Sequence, residues 1–116
     1  MGGIDPFLGR RRTPDYTCLH LARDVWLSET GQDLADRLPG LFAAHTAPRL
    51  TRREIAGFDR LNAPQSPCLA VMSGFGPELH IGIFVRGRII HLTRRSVEFM
   101  EPDVAVRGHS KVRFYQ

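Results

Sequence analysis

Three residues far apart in this chain carry the side chains that nucleophilic chemistry needs: Cys18, His80 and His91. A thiol attacks as its thiolate, and a helix N-terminus favours that form by placing free backbone N–H groups and positive dipole beside it. Cys18 stands where such a helix would begin. Asp15 or Thr17 can act as N-cap to the run Cys18-Leu19-His20-Leu21-Ala22-Arg23-Asp24-Val25-Trp26. The nucleophile also needs a base within hydrogen-bond reach, and the base needs a third group to orient it. His80 and His91 can fill those roles if the fold brings a front helix against a later hairpin.

That hairpin is the clearest element in the sequence. Leu79 to Leu92 reads as two apolar strands folded back about Arg86-Gly87, since two-residue hairpin loops need positive φ and so favour glycine. With that loop, Val85 opposes Arg88, Gly82 opposes His91, and His80 opposes Thr93. Side chains alternate along a strand, so His80 and His91 project from the same face as diagonal neighbours. Gly82, opposite His91, leaves room for a ring or a ligand.

The elements that must position these residues follow in chain order. Residues 1–14 are rich in glycine, proline and arginine without periodicity, and read as a flexible N-terminal arm. The helix from Cys18 has apolar stripes through Ala22, Val25 and Trp26, and Gly31 is placed to stop it. Gln32 to Leu38 reads as a second short helix. Thr51-Arg52-Arg53-Glu54 has capping-box spacing, which predicts a helical turn to about Phe58. Cys68 to Met72 is a continuous apolar strand. After the hairpin, Ser96 to Phe99, Val104 to Val106 and Lys111 to Tyr115 read as short strands divided by Pro102 and Gly108. Helices first and antiparallel strands second make an α+β domain, single over residues 15–116, with N-terminal helices packed on an antiparallel sheet of about five strands.

Composition narrows the partners. The chain has 116 residues and a formal net charge of +4, with Lys111 its sole lysine. Such a balance suits anionic partners: nucleic acid, a membrane surface, or a cell wall rich in carboxylate and phosphate. No apolar run approaches the ~20 residues of a membrane span. The N-terminus lacks the apolar core of a signal peptide, which implies synthesis in the cytoplasm. Two cysteines and no CxxC pair argue against a disulfide framework or a zinc site. Cys68 reads as core and Trp26 as the anchor of the first helix, while His20, His45 and His109 read as surface or loop residues. Arg10-Arg11-Arg12 and Arg52-Arg53 read as solvated charge. Neither a cofactor nor a metal is expected.

Tyr16-Thr17-Cys18 opening a helix that runs through Leu21-Ala22-Arg23-Asp24-Val25-Trp26, followed by His80-Ile81-Gly82-Ile83-Phe84-Val85 and Arg88-Ile89-Ile90-His91, resembles the NlpC/P60 family of papain-like cysteine peptidases. The closing Val112-Arg113-Phe114-Tyr115-Gln116 looks like the last strand of the small phage and prophage members. The resemblance implies a papain-like fold, with Cys18 as nucleophile, His80 as general base and His91 orienting His80. Tyr16, Thr17 and Gly82 would lie near the oxyanion and substrate. It also implies cleavage of amide bonds in peptidoglycan stem peptides, with peptidoglycan or its fragments, and other phage tail proteins, as partners. The protein would then act at the cell wall or in a phage virion. Two readings stand beside this one. Thr17 and His20 occupy positions where the family usually carries Asp and Gly, which fits an inactive structural or wall-binding tail component. The arginine-rich composition fits nucleic-acid binding, although no recognition helix or aromatic-interleaved basic strand accompanies it.

Overall fold

The computed structural model describes residues 3–42, 48–74, 77–109 and 111–116. Among these, six strands form one antiparallel sheet: β1 (Arg60–Leu61), β2 (Cys68–Ser73), β3 (His80–Val85), β4 (Arg88–Leu92), β5 (Val97–Met100) and β6 (Lys111–Tyr115). Their order across the sheet is β1-β6-β2-β3-β4-β5. The helices are α1 (Cys18–Thr30), α2 (Arg52–Ile55) and α3 (Pro102–Arg107), with 3-10 turns at Asp5–Phe7 and Leu34–Arg37. The chain is an α+β domain, as its element order predicts. No helix among the described residues is long and apolar enough to cross a membrane.

The hairpin forms in the register that its turn dictates. Arg86 and Gly87 have φ of 51° and 82°, the two positive values that a tight primed turn requires, and Val85 pairs with Arg88 and Gly82 with His91. Arginine in a left-handed conformation is uncommon. Here the Arg86 backbone N–H donates to Ser66 Oγ at 3.0 Å, and its guanidinium lies 3.5 Å from Glu29.

Alternation then divides the sheet into two cores. Ile81, Ile83, Val85, Ile90 and Leu92 face α1, which lies across β3 and β4 and buries Leu21, Ala22, Val25 and Trp26 against them. Cys68, Ala70, Met72, Phe84 and Ile89 face the other way and are covered by Ala105 of α3. Cys68 and Trp26 are thus core residues, as their types suggest. α1 begins at Cys18 with Thr17 as its N-cap and ends at Gly31, whose φ of 75° is the left-handed cap that glycine adopts at least cost.

Several elements differ from the sequence expectation. Val104 to Val106, read as a strand, lies in α3. Pro102 is preorganised for the first helical turn and Gly108 follows the last one, while Val104 and Val106 stay exposed and Ala105 packs inward. The strand preference of two valines is a preference for half-buried sheet surface, and no such surface is offered here. The helix expected over Gln32 to Leu38 contracts to a 3-10 turn capped by Asp33, which accepts from the Ala35 N–H at 3.0 Å. The turn from Thr51 spans Arg52–Ile55, with the Thr51 hydroxyl donating to Glu54. β1 pairs with the end of β6 and has no periodicity signal, being two residues long.

The segment read as a flexible arm is docked from Ile4 onward. Phe7 enters the core, Arg11 bridges Ser96, and the N–H of Arg12 donates to the Arg95 carbonyl. The Val97 N–H donates in turn to the Arg10 carbonyl. β5 is the last strand of the sheet, and an edge strand offers unpaired backbone groups to any segment that can reach them. Composition alone does not reveal that opportunity.

Candidate active site

Cys18 and His80 line one cleft of about 410 Å³, together with Thr17, Arg12, Arg49 and Glu78. Cys18 enters from the α1 side at the first position of that helix. His80 enters at the first position of β3, where the sheet ends. The Ile81 backbone hydrogen-bonds the Cys18 sulfur, so the thiol sits one residue along β3 from His80.

His80 and His91 meet as the register requires. His80 Nε2 lies 2.8 Å from His91 Nδ1, and the rings cross at 73°. Beyond them, His91 Nε2 is 3.3 Å from Met100 Sδ on β5. A thioether sulfur has no proton to give, so His91 donates through Nε2–H to Met100 and its Nδ1 is the lone-pair nitrogen. That nitrogen accepts from His80 Nε2–H. The remaining nitrogen of His80, Nδ1, is therefore the unprotonated one, the form a general base requires.

Burial keeps both rings neutral. Desolvation first, then the neighbouring His91, His109 and Arg12, push His80 down from 6.5 to about 3. Desolvation and His109 push His91 down to about 4. The Cys18 thiol is pushed up, chiefly by burial, while the Ile81 backbone and the Arg12 guanidinium pull it back. At rest the cleft thus holds a neutral thiol and a neutral imidazole.

The remaining expected positions divide. Thr17 lines the cleft beside Cys18. The Tyr16 hydroxyl is committed elsewhere: it donates to Asp24 Oδ2 at 2.8 Å and accepts from Arg10 Nη1 at 2.6 Å, and burial together with Asp24 raises it to about 12. Gly82 leaves no vacancy for a ligand. A Cβ there would lie 2.7 Å from the Ile90 carbonyl oxygen and 2.9 Å from both His91 Cβ and Ile89 Cγ2, so the facing strand fills the space. His20 is not a bystander to α1. Its Nδ1 accepts from the Thr17 N–H at 2.9 Å, closing a capping box, and its ring packs between Tyr16 and Phe42 rather than on the cleft. His45 lies outside the described residues.

Three contributors carried no signal as such in the sequence. His109, read as a surface or loop residue, stacks on His80 at 5.4 Å between ring centroids and 3° between planes, with its Nδ1 3.1 Å from the Ala105 carbonyl. Met100 fixes the tautomer of His91. Arg12, read as solvated charge, enters the cleft and hydrogen-bonds the carbonyls of Leu92 and Thr93. Only the repeated pairing of histidine with the strand ends could have hinted at the first. No group of three or more His, Cys, Asp or Glu side chains suited to a metal occurs among the described residues. Comparison with protein-family models, with curated proteins and with solved structures found no match for this chain.

Proposed function

We propose that this chain is a cysteine hydrolase with the papain-like NlpC/P60 fold, cleaving amide bonds in the stem peptides of bacterial peptidoglycan as a phage or prophage tail-associated protein. The observation that carries the reading is that Cys18, at the start of α1, and His80, at the start of β3, line one cleft, with His80 Nε2 bonded to His91. In the reaction His80 Nδ1 takes the Sγ proton as the sulfur attacks the scissile carbonyl. The backbone N–H of Cys18, one of the free N–H groups in the first turn of α1, holds the developing oxyanion. Collapse of the tetrahedral species breaks the C–N bond, and His80 returns the proton to the leaving amine. Water, deprotonated by the same nitrogen, then hydrolyses the thioester. His91 holds the His80 ring and its tautomer throughout.

Incubation of the purified protein with peptidoglycan fragments tests this by the release of new amino groups. Turnover should disappear in Cys18→Ala, and turnover retained at the wild-type rate would refute the mechanism. Burial of the Cys18 thiol favours one other reading, an inactive wall-binding tail component. Rapid labelling of Cys18 by iodoacetamide at neutral pH, lost in His80→Ala, excludes that alternative.

A further inference from the structure

At the β5 edge of the sheet, backbone hydrogen bonds tie the N-terminal segment to the turn between β4 and β5. Arg11 bridges Ser96, the Arg12 N–H donates to the Arg95 carbonyl at 3.4 Å, and the Val97 N–H donates to the Arg10 carbonyl at 3.1 Å. Thr93 fixes the turn itself, its Oγ1 accepting from the N–H groups of Arg95 and Ser96, each at 3.2 Å. These bonds set Arg11, Arg12, Arg95 and Ser96 around one hollow of about 420 Å³, and no Asp or Glu lines it. Other arginines of the chain meet acids: Arg10 pairs with Asp24, Arg23 with Asp33 and Arg86 with Glu29. Among the described residues no such ion pair reaches Arg11, Arg12 or Arg95. Arg12 Nε and Nη2 donate to the carbonyls of Thr93 and Leu92 at 3.2 and 3.4 Å, which anchors the guanidinium and leaves its charge unneutralised. Like charges held around one hollow repel one another, and an anion seated among them replaces that repulsion with attraction.

We propose that this hollow is a binding site for a phosphate dianion, free or as a monoester. Guanidinium forks match phosphate oxygens in parallel hydrogen bonds, and a monoester presents three terminal oxygens to the three arginines. A carboxylate, with two oxygens and one charge, would occupy a single fork. A nucleic-acid strand needs cations spaced along successive phosphates. Here the positive charge converges on one point, because Arg10, the next arginine along the segment, is already bonded to Tyr16 and Asp24. The site stands apart from the chemistry assigned to Cys18 and does not depend on it.

The test titrates the full chain, labelled with 15N, with inorganic phosphate at pH 8, where the dianion dominates, and sodium chloride is adjusted to hold the ionic strength constant. The amide signals of Arg11, Arg12, Arg95 and Ser96 should shift and saturate. Methyl phosphate should bind as phosphate does. Dimethyl phosphate, a monoanion with two terminal oxygens, should bind at least about ten-fold more weakly, a difference near 1.4 kcal/mol. Arg11→Gln and Arg95→Gln, both changes of exposed side chains, should each weaken phosphate by about ten-fold. Phosphate should also raise the melting temperature of the wild-type protein and not that of the double variant, which separates lost binding from lost folding. Shifts that do not saturate, or that appear equally at Arg52 and Arg53, overturn the proposal, as does an affinity unchanged by the two substitutions. Dimethyl phosphate bound as tightly as phosphate, or a DNA oligonucleotide bound more tightly and lost in the same variants, overturns it in favour of a phosphodiester strand. None of these readouts involves hydrolysis, so their outcome and that of the Cys18→Ala assay are separate.

Discussion

Replacing Gly82 with alanine probes the hairpin that holds both histidines. The added methyl would lie 2.7 Å from the Ile90 carbonyl oxygen, 2.9 Å from His91 Cβ and 2.9 Å from Ile89 Cγ2. The first two atoms belong to the β4 backbone or are fixed to it, so no side-chain rotation relieves them. β3 and β4 must move apart in the middle of the sheet, stretching the ladder at Gly82–His91. Overpacking of a filled core costs about 1–3 kcal/mol, and three contacts on a central pair place this change near ~3 kcal/mol. With an unfolding entropy of roughly 2.1 cal/mol/K per residue over 116 residues, that loss lowers the melting temperature by about 12 °C. Thermal melts followed by circular dichroism measure it directly. Gly57→Ala is the control, since a Cβ there meets nothing within 4 Å and needs no positive φ. Hydrolysis should also fall in Gly82→Ala, because the shift of β4 carries His91 away from His80. A Gly82→Ala melt within about 2 °C of wild type, a cost under roughly 0.5 kcal/mol, would show that β4 does not fill the space beside Gly82.

Four further outcomes follow from the site. His80 and His91 are buried neutral with values depressed from 6.5 to about 3 and about 4. Their contribution to stability is therefore complete above about pH 6.5 and declines below it, as the unfolded chain takes up protons that the folded one refuses. At 1.36 kcal/mol per pH unit for each ring, acidification from pH 7 to 5 costs at most roughly 4 kcal/mol. Urea midpoints at the two pH values measure this, and a flat profile contradicts the burial of neutral rings. His20→Ala opens the capping box of α1 and should cost about 1 kcal/mol by urea denaturation, with no gain in hydrolysis because the ring lies off the cleft. Arg12→Gln removes a charge that favours the Cys18 thiolate, so iodoacetamide should alkylate Cys18 more slowly at pH 8. Met100→Leu keeps the volume but removes the acceptor of His91 Nε2–H. The 15N shifts of His80 should then report a mixture of tautomers, and hydrolysis should drop by about ten-fold; a single unchanged tautomer in that variant counts against the relay.

The local features of the chain were legible in its sequence because short-range stereochemistry decides them. Arg86-Gly87 fixes the turn, the turn fixes the register, and alternation then puts His80 and His91 on one face. Thr17 and Gly31 mark the ends of α1 for the same reason, since a cap involves only its own turn. The tertiary structure decided what depends on surfaces brought from elsewhere. Val104 and Val106 are helical because no strand stands ready to pair with them. Residues 10–12 are held down because β5 ends the sheet and offers them unpaired backbone groups. His109, Met100 and Arg12 reach the histidine pair through the packing of α3, β5 and the N-terminal segment, and no spacing along the chain encodes that convergence. The direction of the His80 lone pair is settled last of all, by a thioether on a neighbouring strand that can only accept.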